Sequence, residues 1–268
     1  MAFNNFVFDQ NIFEWWFAGQ PTGQPVLKTV EQWCKDEMAD LCFNLGEFNM
    51  PKTGKGEKLS ICEVIAQGRR ISYGYGDRTD LLYINDKNAC RGYSYGVRNG
   101  AVYLNRPKGG KRSRNGIGMT ISGNLVVSQS NNATEKDLCT NINNYVKGKG
   151  QTISMFLMED GGGSTCEYSA LSRLRYAPEG GRECATVLCI RVKRPISITH
   201  PIYAGCPKDI STEYVQMILG GIAADRDAQT LTKNRILAAQ IALGFPKGMQ
   251  TGVADYYTLK KMGFLIAY

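Results

Sequence analysis

Ile153-Ser154-Met155-Phe156-Leu157-Met158-Glu159-Asp160-Gly161-Gly162-Gly163-Ser164-Thr165 is the most telling run of this chain. The apolar stretch from Ile153 to Met158 has the length of a strand. It leads into three consecutive glycines. Glycine lets the backbone adopt positive φ and approach a ligand closely, and successive amides in such a turn make an anion-binding concavity. Asp160 at the strand end, with the hydroxyls of Ser164 and Thr165 beyond the glycines, completes a site suited to a phosphorylated substrate. The same residues also fit a glycine-rich connection that Asp160 merely caps. Alternation sends Glu159 and Asp160 to opposite faces of a strand, so only one of them enters the site.

Four further segments stand out around this run. Upstream is Ala39-Asp40-Leu41-Cys42-Phe43-Asn44-Leu45-Gly46-Glu47-Phe48-Asn49. Tyr95-Gly96-Val97-Arg98-Asn99-Gly100-Ala101-Val102 reads as strand, turn, strand. Ser113-Arg114-Asn115-Gly116-Ile117-Gly118-Met119 follows, and Gly181-Arg182-Glu183-Cys184-Ala185-Thr186-Val187-Leu188 closes the series. In this order the five segments resemble the phosphodiester glycosidase family, over roughly residues 25–195. That family shows Asn-Leu-Asp-Gly-Gly-Gly-Ser at the glycine run and Asn-Gly-Gly-Phe-Phe upstream. It also has a central Asn-Gly, an Arg-Thr-Ala-Ile-Gly segment and a closing Arg-Pro-Val-Ala strand. Two departures are visible. Met158 and Glu159 replace the family's Asn and Leu, and Val127-Ser128-Gln129-Ser130-Asn131 lacks the acid of its Val-Asp-Gly turn. Either the substrate differs from the family's or this chain binds without turnover.

The resemblance implies hydrolysis of a sugar-1-phosphodiester. An anomeric phosphate is already a good leaving group, so the reaction needs less general-acid help than ordinary glycoside cleavage. The site must hold the phosphate, stabilise positive charge at the anomeric carbon and position water. Arginine suits the first task through bidentate contacts, which singles out Arg114 and Arg182. The amides of Gly161, Gly162 and Gly163 can share it with Ser164 and Thr165. Asp160 is the carboxylate for the other two tasks, with Asn44 and Glu47 orienting sugar or water. Each role has a structural alternative. Asp160 can cap its own turn, Arg182 can pair with Glu179 or Glu183, and Glu47 can face solvent.

Composition bounds the rest. With 268 residues, 43% hydrophobic and 21% charged, the chain has room for one large domain or two smaller ones. Thirty glycines and fourteen tyrosines lean toward turn-rich β structure. The formal charge of +8 favours an anionic partner, such as a glycan or sugar-phosphate polymer. The basic cluster from Arg106 to Arg114 reads as a solvated hairpin loop, Arg114 excepted. No recognition helix, RNP motif or finger spacing supports sequence-specific nucleic-acid binding. No long uncharged apolar run suggests a membrane span, and the N-terminus lacks signal-peptide character. The nine cysteines are odd in number and form no Cys-x-x-Cys pair, so reduced thiols are expected. Cys184 and Cys189, on one expected strand, should face opposite sides. With one histidine, no metal site is expected; a divalent cation near the glycine turn has no ligand spacing to compel it, and no cofactor is called for.

The expected class is α+β, with a mixed or antiparallel β-rich phosphodiester-glycosidase-like domain followed by a small three-helix domain. Residues 1–25 are aromatic-rich, with Phe3, Phe6, Phe8, Phe13, Trp15, Trp16 and Phe17. They serve either as a contact to other virion proteins or as an edge strand on the chain's own core. Residues 26–195 form the main domain, with helices capped by Thr29 and Thr134. Residues 196–208 read as a linker. Residues 209–268 are helical, with Thr232 and Thr258 as caps. Gln216, Leu219, Gly220, Asp225, Thr232, Ile236, Gln240, Leu243, Gly252, Val253 and Thr258 resemble the pattern of a small peptidoglycan-binding domain. The alternative is a helical cap packed on the main domain. The combination suggests cell-wall binding by a phage tail component, made in the host cytoplasm, released by lysis and virion-associated. The other expectations are a non-catalytic structural or receptor-binding virion protein, and an intracellular nucleotide-sugar phosphodiester glycosidase.

Overall fold

A computed structural model describes residues 3–19, 27–44, 63–73, 79–105, 109–159, 161, 165–193 and 195–267. The chain begins with β1 (Phe3–Phe8), β2 (Phe13–Gly19), α1 (Val30–Asp36) and β3 (Leu41–Asn44). There follow β4 (Glu63–Ala66), β5 (Arg69–Tyr73), β6 (Leu82–Asn85), β7 (Asn88–Cys90), β8 (Ser94–Arg98) and β9 (Ala101–Val102). The centre is β10 (Arg112–Thr120), β11 (Leu125–Ala133), α2 (Glu135–Gly148) and β12 (Ile153–Met158). Then come β13 (Glu167–Ser169), β14 (Leu174–Tyr176), β15 (Thr186–Val192) and β16 (Ser197–Ile198). The last elements are α3 (Ile210–Leu219), α4 (Thr230–Ala242), α5 (Tyr256–Lys261) and β17 (Leu265–Ile266).

Among the described residues one sheet has the order β1-β11-β10-β12-β8-β9 and a second the order β14-β13-β3-β15-β2. The pairings within both are antiparallel. A smaller sheet, β5-β4-β7-β6, and the parallel pair β16-β17 complete the set. The class is α+β, as expected from the sequence.

Alternation along the strands explains the layering. Phe13, Trp15, Phe17, Leu41, Phe43, Leu188 and Ile190 enter a central core, while Ala18, Cys42, Val187 and Cys189 enter a second core beneath α1. In the first sheet Phe6, Phe8, Ile117, Leu125, Val127 and Leu157 enter the central core. Val7, Val126, Phe156 and Met158 enter a third core beneath α2. Strands covered on both faces read as near-continuous apolar runs. The layers are therefore α2, the β1–β9 sheet, the β14–β2 sheet and α1.

The aromatic N-terminus packs onto the chain's own core. Phe6 and Phe8 stack at 5.7 Å between ring centroids, and Phe6 lies 5.5 Å from Phe43. Thr29 and Thr134 cap α1 and α2 as read, each within a capping box. Cys184 and Cys189 differ from expectation: both enter the core beneath α1. Cys184 precedes β15 and is held by a bridge to Lys28, so strand alternation does not extend to it.

The C-terminal helices join the sandwich through named contacts. Ile196, Ile198, Ile202 and Cys206, within the stretch read as a linker, are buried in the central core with Val215, Ile218 and Leu219 of α3. Ser169 Oγ donates to Ile218 O at 2.8 Å, Ser172 Oγ to Leu219 O at 2.9 Å, and Tyr145 OH to Ala224 O at 2.6 Å. Glu213 pairs with Lys149, just past the end of α2, and with Arg226 at 2.7 Å.

The helix caps in this region differ from the reading. Asp255 caps α5 by accepting from Thr258 N, and Gln229 precedes α4 without a side-chain cap. Thr232 and Thr258 lie inside their helices, where each hydroxyl accepts from a buried glutamine. Gln216 Nε2 reaches Thr232 Oγ1 at 3.2 Å, and Gln240 Nε2 reaches Thr258 Oγ1 at 3.0 Å. A buried amide needs partners more than an exposed helix end does, since water can serve the end.

Candidate functional site

At one end of the sandwich the end of β3, the start of β10, the ends of β11 and β12 and the start of β13 converge. Asn44 N donates to Cys166 O at 2.9 Å, and Asn115 Nδ2 donates to Asn44 O at 2.8 Å. Gln129 Nε2 donates to Cys166 O at 3.3 Å, and Glu159 N to Asn115 O at 3.0 Å. The second and third of these bonds tie the two large sheets together at this point, while the first lies within the β14–β2 sheet and the last within the β1–β9 sheet. On β10 and β11, Arg114 stands opposite Ser130 and Asn115 opposite Gln129. Neighbouring strand positions face opposite ways. Arg114 accordingly meets α2, while Asn115 meets the second sheet.

Arg114 is 1% exposed, and its Nη1 lies 3.5 Å from Glu135 Oε1 at the first turn of α2. Its Nη2 donates to Gly110 O at 3.1 Å. Tyr93 OH donates to Glu135 Oε1 at 2.8 Å. Burial, and then the Glu135 carboxylate beside it, push the Tyr93 phenol well above its ordinary value. Gly161 packs directly on this group: a Cβ there would stand 2.6 Å from Ser113 O and 3.7 Å from Arg114 Cδ. Only glycine lets the chain pass so close to the β10 backbone.

Four buried polar atoms at this end make no hydrogen bond to any described residue: Asn115 Oδ1, Gln129 Oε1, Ser130 Oγ and Thr165 Oγ1. A buried polar group left unsatisfied costs about 1–3 kcal/mol. Asn115 and Gln129 face the second sheet, while Ser130, opposite Arg114, faces α2, so these atoms lie on both faces of the first sheet at the same end of the sandwich. Among the described residues no group of three or more His, Cys, Asp or Glu is placed to hold a metal.

The structure brings Asn44, Arg114, Gly161 and Thr165 to this end. Arg182 is exposed at its rim: Gly181 packs against Cys166, and Glu179 Oε1 accepts from Ser113 N at 2.8 Å. Asp160, Glu47, Gly162, Gly163 and Ser164 lie outside the described residues. The fork expected of Arg114 is already engaged, by Glu135 and Gly110. Met158, where the family has Asn, lies in the third core, with Cys139 Sγ 3.4 Å from its Sδ. An apolar residue suits that place.

Sequence reasoning missed Tyr93, Glu135, Gln129 and Ser130. Glu135 carried only the signal of a helix start. Gln129 and Ser130 lay in the segment noted for a missing acid, and it is this segment that supplies buried amide and hydroxyl groups. A groove of about 670 Å³ lies elsewhere. Gln10, Phe13, Tyr83, Asn85 and Lys193 line it, at the opposite end of β15 from Thr186. Its amides are largely spent within the protein, as in Asn85 Nδ2 to Trp15 O at 2.9 Å and Gln10 Nε2 to Ser122 O at 2.9 Å. The end of the sandwich that holds the unsatisfied atoms is therefore the better candidate.

No protein-family model matches the sequence, and no similar sequence is found among curated proteins. Solved structures do match. One is the catalytic domain of zebrafish N-acetylglucosamine-1-phosphodiester alpha-N-acetylglucosaminidase, auto-inhibited by its pro-peptide. It is 14% identical with a TM-score of 0.51, over 71% of this chain and 83% of that one. Another is a hypothetical protein from Synechocystis, 11% identical with a TM-score of 0.49, over 71% of this chain and 59% of that one. The chain thus shares its fold with the catalytic domain of a phosphodiester glycosidase, at a sequence distance that speaks to architecture alone.

Proposed function

We propose that the chain hydrolyses sugar-1-phosphodiester bonds in an anionic cell-envelope polymer such as a teichoic acid. One observation carries the reading. The end of the sandwich that holds Arg114 and Gly161 also holds the unsatisfied buried atoms of Asn115, Gln129, Ser130 and Thr165, on a fold shared with a phosphodiester glycosidase domain. In this reading a phosphate oxygen replaces the Gly110 carbonyl at Arg114 Nη2, and Arg182 meets the polymer at the rim. Asn44 and Asn115 orient the sugar. Asp160 supplies the carboxylate that stabilises the oxocarbenium-like transition state and positions water. Glu47, Gly162, Gly163 and Ser164 keep the roles that the resemblance implies. The positive net charge favours such a polymer.

The C-terminal helices belong to the same reading as a wall-binding module. Their two buried glutamines occupy positions of the peptidoglycan-binding pattern. A phage tail component, released with the virion on lysis, would bring the two activities together. The test is release of free sugar from UDP-N-acetylglucosamine and from a teichoic-acid fragment, with wild type, Asp160→Asn and Arg114→Met compared. Release that is lost in both variants is expected. A folded protein that releases nothing from either substrate refutes the enzymatic reading.

A non-catalytic virion protein reusing the fold is the second reading. It is favoured by the matching of Arg114 with Glu135 inside the protein, as a structural ion pair would be. Binding of the teichoic-acid fragment without turnover would establish it.

A further inference from the structure

The core beneath α1 is rich in sulfur: Cys34, Cys42, Cys166, Cys184 and Cys189 all lie within it. Cys42 of β3 and Cys189 of β15 are direct cross-strand partners. Directly opposed residues of an antiparallel pair have Cα atoms about 4.5 or 5.5 Å apart. Both spacings fall within the roughly 4.4–6.8 Å that a disulfide spans. The two Sγ atoms are 3.3 Å apart, and both residues are fully buried. Few rearrangements separate this contact from a bond.

We propose that Cys42 and Cys189 form a disulfide when the chain folds in an oxidising medium, stapling β3 to β15. With oxidised glutathione as the oxidant, one cysteine thiolate attacks a glutathione sulfur and releases one glutathione thiolate. The second cysteine then loses its proton and attacks the protein–glutathione mixed disulfide, releasing the other glutathione. Two electrons pass from the cysteine pair to glutathione, and the two cysteine protons end on the two glutathione thiols.

Timing follows from burial. In the folded protein burial holds both thiols above their ordinary range, and no oxidant reaches them. The bond therefore closes while the sheet is forming, and afterwards the folded core protects whichever state was trapped. β3 ends at Asn44, so the staple also fixes the strand that carries this residue into the candidate site.

The experiment refolds the full reduced and denatured chain in a mixture of reduced and oxidised glutathione. Free thiols are then alkylated in denaturant, and the protein is digested without reductant for mass spectrometry. The expected result is one dominant linked peptide pair, joining Cys42 to Cys189, with two of the nine thiols protected from alkylation. The linked protein should unfold at a urea concentration roughly 1 M above that of the reduced protein. The double variant Cys42→Ala with Cys189→Ala, refolded in the same way, should show no such rise. Already folded, reduced protein placed in the same mixture should keep its thiols. A dominant Cys34–Cys42 link, nine alkylated thiols after refolding, or equally fast oxidation of folded protein overturns the proposal. The mapping needs only the wild-type chain, so a variant that fails to fold leaves the test intact.

Discussion

Replacing Glu167 with glutamine should remove a pH dependence from the stability of this protein. Glu167 opens β13 and is 1% exposed. Its Oε1 accepts from Gly221 N at 2.8 Å, in the turn after α3, while Oε2 has no partner among the described residues. Arg235 of α4 and Tyr176 of β14 flank that turn, with Arg235 Nη2 3.4 Å from Gly221 O. Burial raises the carboxyl from 4.5 to about 7, against the opposing pull of the Gly221 N–H and the Arg235 charge. Burial also pushes the Tyr176 phenol up to about 12, so it does not titrate in the same window.

The folded chain thus holds a proton that the unfolded chain releases between pH 4.5 and about 7. Stability from this group is full below pH 4.5, falls as pH rises, and is gone above about 7. At about 1.36 kcal/mol per pH unit, the total is about 3 kcal/mol. Glutamine keeps the acceptor and cannot ionise. The variant should match wild type near pH 4.5 and exceed it by about 3 kcal/mol at pH 8. Urea denaturation of both proteins at intervals from pH 4.5 to 8.5 measures the difference, in which the other titrating groups largely cancel. A difference that stays constant across this range would refute the reasoning, for it would mean that Glu167 has the same charge throughout.

The neighbouring turn gives a second expectation. Gly220 has φ +66°, and a Cβ there would stand 2.5 Å from Glu167 Oε1. Gly220→Ala should cost at least about 2 kcal/mol from strain and displacement of the carboxylate, and a change below 1 kcal/mol on urea denaturation would count against this geometry. Gln240→Leu removes bonds to Val253 O, Thr258 Oγ1 and Gly252 N and leaves those groups buried, so a loss of about 3 kcal/mol is expected by the same assay. Thr134→Ala should cost about 1 kcal/mol, and Thr134→Asp should restore most of it, as far-ultraviolet melting curves would show; failure of the aspartate to rescue would argue against the cap.

Local features were the legible ones. Thr29 and Thr134 stand just before amphipathic stretches, and a capping hydroxyl acts only on its own helix. The strand from Ile153 to Met158 was readable because six consecutive residues carry the signal. Partnership across the fold was not. Arg114 looked like a free cation because Glu135 lies 21 residues away, at the start of a helix whose docking no local pattern specifies. Thr232 and Thr258 looked like caps because the demand of Gln216 and Gln240 for acceptors appears only once the helices pack. At the site, Asn44, Arg114 and Thr165 were singled out by motif. Gln129 and Ser130 joined them through strand register, which no single stretch of sequence encodes.

The two buried glutamines also bear on how the C-terminal helices come apart. Gln216 on α3 holds the following loop and Thr232 of α4, while Gln240 on α4 holds the next loop and Thr258 of α5. Helix α4 is thus receiver in the first link and giver in the second, as in a chain of dominoes. Loosening α4 breaks both links at once, whereas fraying α5 breaks only the last. Amide protons of α3 and α4 should therefore exchange with solvent together, in one concerted opening, with α5 free to open alone at lower cost. Neither link contains an ion pair of opposite charges, so this order of opening should be insensitive to salt.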